Sequence, residues 1–590
     1  MSDQVNKNHL SKLWINIRRG LKDLFSEPFF YIYLLAVLLY LPWFLPNISD
    51  ISPWDETYYI VSGRDMLSGQ LPVLGYSPLF SFLAMLCYLF FRDSSFWLIY
   101  VDSVLRFLLF SFLFVGNWHV GRALKDHFKP IVLFGFLFVS PVLTLNFEYP
   151  TDILFASLSA MAFAQVINFI NTKEIKHVWW ASFWLGLGML TRGDAMILIA
   201  VLAVFVVWFG ARHHRWWRLL LAVLIPFLAI SVGYVVFRGA VTGDFDTGMG
   251  ERSYTAFEQG QEVDMPESEG RFDAPIESYY VARELFGTPE DNDYSVFKAI
   301  SRNPEAYLSR FWEGIKTLPG LYLTAYYRRY AIFLALLVVR GLIALIQQKK
   351  IPLAILHVIW IIPLNAGIAR TLVRVGYFRL FHFVIYSLAI IGVKAVLDNL
   401  KKSWEKWAWI GVLSVVLVAA FIQGDEAIRL GMTVFLCWVI LTYLLFRRSS
   451  NYPKWQWMAL LLLLASALLL KTGIMTFTPR KLGEDPREAA SLVLRDVTEP
   501  GDYVLTCTPS VVFLADRQVA NFCSADIPEF ETSEAFVEWM QAQNLKVIYL
   551  DQAAPAILYD LCFDSRGKWL TWIYSSKGGE ASIFIVNQGN

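Results

Sequence analysis

Apolar runs of about 17 to 25 residues recur along this chain, and each is long enough to cross the hydrocarbon core of a bilayer as a helix. They fall at 29–46, 96–116, 130–148, 152–170, 178–190, 195–210, 216–237, 328–346, 351–369, 377–396, 407–423, 428–446 and 455–474. Composition agrees: 56% of the 590 residues are hydrophobic and 17% charged, against roughly 25% charged in soluble domains. The predicted class is an α-helical polytopic membrane protein. The net charge of +1 is spread as short clusters between the runs, so no basic face suits nucleic acid.

Those clusters set the topology. The loops 117–129, 171–177, 211–218, 347–350, 397–406 and 447–454 carry Lys or Arg, as cytoplasmic loops do. They share a side with the basic N-terminus only if the short run SPLFSFLAMLCYLFF at 77–91 does not cross. We therefore expect about thirteen spans, with 77–91 held in the outer interface or re-entrant. The first run is read as a retained span and not a signal peptide, because Pro42-Trp43-Phe44 continue it into an acidic loop.

The expected organisation is a cytoplasmic segment 1–28, a transmembrane region 29–474 with outer loops 47–95 and 238–327, and an extracytoplasmic α/β domain at 475–590. In that last part DYVLTC (502–507), KVIYL (546–550), WLTWIY (569–574) and SIFIV (582–586) read as strands, and EAFVEWMQAQN (534–544) as a helix. Cys87 and Cys437 lie in apolar runs. Cys507, Cys523 and Cys562 lie in the tail, where one bridge or three free thiols are both open.

Charge at the outer ends of the spans is more telling, since a carboxylate near hydrocarbon costs about 2.5–3.5 kcal/mol to insert. Asp55 and Glu56 follow Trp54 after the first run, Glu148 and Asp152 flank the third junction in NFEYPTDILF, and Arg192 and Asp194 stand in TRGD. Asp152 serves equally as a helix N-cap. Arg370, Arg374 and Arg379 in ARTLVRVGYFRLFHF crowd the outer junction of spans nine and ten, where cations are scarce. They either snorkel to headgroups or hold a phosphate, which a guanidinium grips bidentately. The outer loop holds fourteen Asp or Glu against three Arg between 243 and 293. It reads as a flexible solvated loop or as a cover selecting a cationic acceptor or a divalent ion.

A carboxylate base beside a cation-held phosphate suits glycosyl transfer from a polyprenyl-phosphate sugar. At this point the chain resembles the GT-C superfamily of membrane glycosyltransferases, in its branch of aminoarabinose transferases and protein O-mannosyltransferases. WDETYY, RDMLSGQLPVLGYSPLF, NFEYPTDILFASLSAMAFA and LGLGMLTRGDAMIL carry the resemblance, with YFRLFHFVIYSLAI and GDYVLTCTPSVVFLADRQV more weakly. It implies Asp55 as the catalytic carboxylate with Glu56 beside it, and Asp152 with Glu148 as a second acidic site. Arg192, Arg374, Arg379 and Arg370 would be donor-phosphate contacts. Tyr76-Ser77-Pro78 stands where the family has Lys-Pro-Pro, and YFRLF where it has an Arg-Tyr pair.

The expected reaction is inverting transfer from a polyprenyl-phosphate-linked sugar to a lipid, glycan or protein acceptor at the outer face of the cell membrane. The partners are that donor, the acceptor and membrane lipids. A divalent cation at Asp55 and Asp152 is left open. The rival is a transporter or flippase of a lipid-linked sugar, for which Asp102 and Arg106 inside span two are the candidate midplane charges.

Overall fold

A computed structural model describes residues 55–72, 77–124, 150–243, 245, 249–261, 273–325, 329–370, 379–399, 485–522, 528, 530, 532–552, 554–576 and 579–587, with Tyr33, Val37 and Phe44. Of the predicted spans, 130–148, 407–423, 428–446 and 455–474 lie outside these residues, as does all of 29–46 but those last three.

The remaining apolar runs form helices. They are α3 (Trp97–Ala123), α4 (Pro150–Thr172), α5 (Lys176–Met189), α6 (Ala195–Gly210), α7 (Trp216–Thr242), α12 (Arg329–Gln347), α13 (Ile351–Arg370) and α14 (His382–Asn399). Among the described residues α3, α4 and α7 are long and apolar enough to cross a membrane, and α6 and parts of α12 to α14 are shorter apolar segments.

Two helix pairs run in the same sense. A Cβ on Gly116 of α3 would lie 2.8 Å from the Ser157 carbonyl of α4, and further along Asn171 of α4 donates to the Ala123 carbonyl at 3.3 Å. Likewise Ser182 of α5 bonds the Val223 carbonyl of α7, and Gly186 meets Phe227 and Ile230 one turn on. A single return through α6, the one helix between α5 and α7, produces that sense. Where α12 and α14 cross, Gly341 faces the Leu388 carbonyl and Gly392 the Leu337 carbonyl, too near for any side chain. Small residues give membrane helices this backbone contact.

Before α3 stand two shorter helices, α1 (Asp55–Met66) and α2 (Pro78–Phe91). Ser77 caps α2, accepting from the Phe80 amide at 3.4 Å, and Pro78 occupies its first turn, where a missing N–H is harmless. The 14 residues of α2 span about 21 Å, short of the ~30 Å hydrocarbon core. Its start bonds the end of α5: the Ser77 hydroxyl and Leu79 amide both donate to the Leu190 carbonyl, at 3.1 and 3.2 Å.

The described parts of the acidic loop depart from the flexible reading. They fold as α8 (Met249–Gln259), α9 (Asp273–Phe286), a 3-10 turn at Glu290–Asn292, α10 (Val296–Arg302) and α11 (Pro304–Ala325). Tyr254, Phe257, Phe286 and Ala299 build a small core of their own, and the Tyr254 hydroxyl receives the Asn292 amide at 2.7 Å. The many acids obscured these few aromatics, which suffice to bury a helix face.

Residues 485–587 form α15 (Pro486–Val497), β1 (Tyr503–Thr506), α16 (Pro509–Leu514), β2 (Gln518–Asn521), α17 (Ser533–Ala542), β3 (Val547–Asp551), α18 (Ala556–Asp564), β4 (Leu570–Ser575) and β5 (Ala581–Val586). The sheet order is β2-β1-β3-β5-β4. β1 is parallel to β2 and β3, and β5 is antiparallel to β3 and β4. Alternation along the strands splits the core. Val504, Val547, Tyr549 and Ile583 join the core of α1 to α3, while Leu505, Ile548 and Phe584 pack under α17 and α18. Cys507 is disulfide-bonded, to a partner outside the described residues. Cys562 and Cys87 are free and buried.

Candidate active site

Asp55 and Glu56 are the first two residues of α1. This helix is tied closely to α2: a Cβ on Gly63 would lie 2.5 Å from the Ser81 carbonyl and 2.7 Å from Ala84. Tyr59 meets Phe80 edge-on with ring centroids 5.6 Å apart. Glu56 is turned inward, 1% exposed. Arg106 of α3 reaches it through Nη2 at 3.4 Å and donates through Nε to Asp102 at 2.7 Å. The pair that the transport reading would use as midplane charges is thus a buried ion cluster shared with α1.

A second charged group lies at the start of α4. Asp152 is buried in the first turn, and its Oδ1 accepts from Arg192 Nη1. Arg192 also donates through Nε to Asp194 Oδ2 at 2.8 Å. The turn bearing Arg192 is shaped by the Thr191 hydroxyl, which donates to the Gly188 carbonyl at 2.6 Å. The two site residues Asp152 and Arg192, forty apart in sequence, therefore meet. Arg192 grips two carboxylates, so its charge is already compensated.

The described flanks of the connection between α1 and α2 are pinned to the bundle. Ser77 bonds Leu190, two residues before Arg192, and Arg238 at the end of α7 donates through Nη1 to the Pro72 carbonyl at 2.8 Å. Arg238 is 7% exposed and hydrogen-bonds Tyr234 one turn back. Arg238, in FRGA at the predicted outer end of span seven, is a further arginine on the predicted outer side, in plain view in the sequence.

Glu148 and Arg374 lie outside the described residues. Arg370 closes α13, and Arg379 opens a 3-10 turn leading into α14. That turn packs on α4, and His382 beside it shares a hydrogen bond of 3.2 Å with Asn117 of α3. Among the described residues no three His, Cys, Asp or Glu side chains gather as metal ligands.

No family model matches the sequence, and neither does any curated protein. Solved structures do. ArnT from Cupriavidus metallidurans bound to undecaprenyl phosphate superposes with a TM-score of 0.54, covering 95% of this chain and 98% of that one at 12% identity. Its apo state gives 0.54 over 94% and 97% at 13% identity. An Archaeoglobus fulgidus oligosaccharyltransferase in the apo form gives 0.48 at 14% identity over 96% and 75%. At such identity the likeness to ArnT is one of architecture, and it runs from end to end. A helical membrane core joined to a C-terminal sheet, matched over nearly its whole length to ArnT, gives this chain the same fold as that protein.

Proposed function

We propose that the protein is an inverting glycosyltransferase that moves a hexose or pentose from a polyprenyl-phosphate-linked donor to a lipid, glycan or protein at the outer face of the cell membrane. One observation carries the reading. The charged groups Glu56–Arg106–Asp102 and Asp152–Arg192–Asp194 gather around helix starts that share one end of the bundle, on a fold whose ArnT representative holds undecaprenyl phosphate. The disulfide at Cys507 supports an oxidising, extracytoplasmic setting for the C-terminal unit.

In this reaction the acceptor hydroxyl attacks the anomeric carbon from the face opposite the phosphate. The Asp55 carboxylate takes the hydroxyl proton as the new bond forms, and the polyprenyl phosphate leaves with the bonding pair. Cations lower the barrier by stabilising the charge that collects on that phosphate. Arg370, Arg374 and Arg379 take this role, since Arg192 is committed to carboxylates. Asp152 and Glu148 complete the acidic rim, and Asp55 and Asp152 are the residues that would hold a divalent cation if the reaction uses one, which turnover before and after chelation tests.

Comparing envelope lipids, glycans and proteins of cells with and without the protein by mass spectrometry identifies the transferred mass. With that product in hand, Asp55→Asn is expected to keep fold and donor binding yet slow turnover by about 10² to 10⁴. Turnover within a few-fold of wild type refutes Asp55 as the base. The transport reading is disfavoured because Asp102 and Arg106 are consumed by each other and by Glu56.

A further inference from the structure

Among the contacts between the C-terminal unit and α1 to α3 is a corner, Phe513 to Arg517, where α16 ends and the chain turns toward β2. Every residue of α16 is buried, and Val511, Val512, Phe513, Leu514 and Ala515 share one core with Tyr59, Leu98 and Val101 of α1 and α3. Phe513 meets Tyr58 edge-on at 5.5 Å between centroids. Tyr58 is one turn from Asp55, and burial pushes its hydroxyl pKa up to about 12. Asp516, in the left-handed region at φ 60°, accepts from Arg64 Nη1 of α1 at 3.0 Å. Arg64 in turn lies over the ring of Trp97, the first residue of α3, at 5.4 Å.

The corner itself is braced from inside. Arg517 donates to the Thr498 hydroxyl at 2.6 Å and to the Arg495 carbonyl at 2.9 Å, capping the end of α15. Arg495 donates to the Leu514 carbonyl at 2.7 Å and to the Ser95 carbonyl, between α2 and α3, at 3.3 Å. A short helix is thus fixed to the sheet on one side and wedged against α1 on the other.

We propose that this corner is a positioning contact for the reaction: Phe513 and Asp516 hold α1 in the orientation that presents Asp55, so the C-terminal unit is part of the active site's frame. This rests on the glycosyltransferase reading for its chemistry, but not for its geometry. Phe513 dominates because it is 7% exposed. The Asp516 carboxylate is 68% exposed, and exposed pairs contribute little.

Two readouts test it on the full chain in lipid nanodiscs and in cells. Amide exchange across residues 55–66 reads the contact whatever the chemistry, and yield of the mass-identified product reads the reaction. Phe513→Ala is expected to speed exchange in α1 and lower product by about tenfold or more, while Phe513→Leu keeps most of both. Asp516→Arg, which sets like charges together, should cost about two- to fivefold, the range an exposed pair allows. Adding Arg64→Asp to it should restore product. Unchanged exchange in Phe513→Ala overturns the proposal, as does faster exchange with wild-type product. If Phe513→Ala does not fold, the charge-swapped pair decides, and failure of the double variant to recover overturns the proposal. Absence of any product from the wild type refutes the glycosyltransferase reading alone and leaves the exchange arm standing.

Discussion

Arg106 stands between two carboxylates, and all three side chains are nearly shut off from water, at 7%, 2% and 3% exposure for Arg106, Glu56 and Asp102. Such a cluster survives burial only while each charge keeps its partner. Removing the cation leaves two like charges facing each other in a poor dielectric. Arg106→Met is therefore expected to destabilise the protein by about 3–5 kcal/mol, seen as a lower melting temperature and lower folded yield in detergent. Glu56→Gln retains size and an acceptor oxygen and should cost less on both measures. In the sequence, Asp102 and Arg106 are legible as a pair because four residues is one helical turn. The third member is not: Glu56 lies fifty residues away, and beside Asp55 it looks like half of a catalytic pair. Asp152 and Arg192 each stood out in the sequence as charges at predicted outer ends of spans, but the bond between them did not.

Among the elements, helices α8 to α11 show what composition conceals. Glu258 of α8 is buried and bonded to Arg283 of α9 at 2.9 Å. Burial raises its pKa above the usual 4.5, and the neighbouring Arg283 only partly offsets this. The folded state thus binds the proton more tightly than the unfolded one, so stability contributed here is present below about pH 4.5 and is lost as pH rises through the raised value. Amide exchange in 254–286, corrected for its intrinsic rate, should show α8 and α9 more protected near pH 5 than near pH 7. Glu258→Gln should flatten that dependence. Membrane helices were legible because hydropathy and length speak for themselves, and four strands of the sheet because their runs are apolar. β2 escaped: QVAN lies at the sheet edge, partly buried, and has no apolar alternation to announce it.

At the scale of the whole molecule, the sidedness expected from the loop charges can be tested directly. Cysteine replacing Asp93, which is 92% exposed after α2, should react with an impermeant thiol reagent from outside, and one replacing Lys125 only after the membrane is opened; the reverse at 125 contradicts the thirteen-span topology. The architecture was legible from the order of hydrophobic runs, whereas the union of the sheet with α1 to α3 was not, because it joins surfaces from the two ends of the chain. That union has a cost in time. Arg64 and Asp516 are 452 residues apart, and synthesis at about 5–20 residues per second puts about 20–90 s between them. For that interval α1 waits with part of its apolar surface uncovered while span after span is inserted, so only a chain read to its last strands has its first site helix in place. On the proposed reading, a stalled or truncated copy would remain in the membrane with α1 uncovered and would be inactive as a transferase.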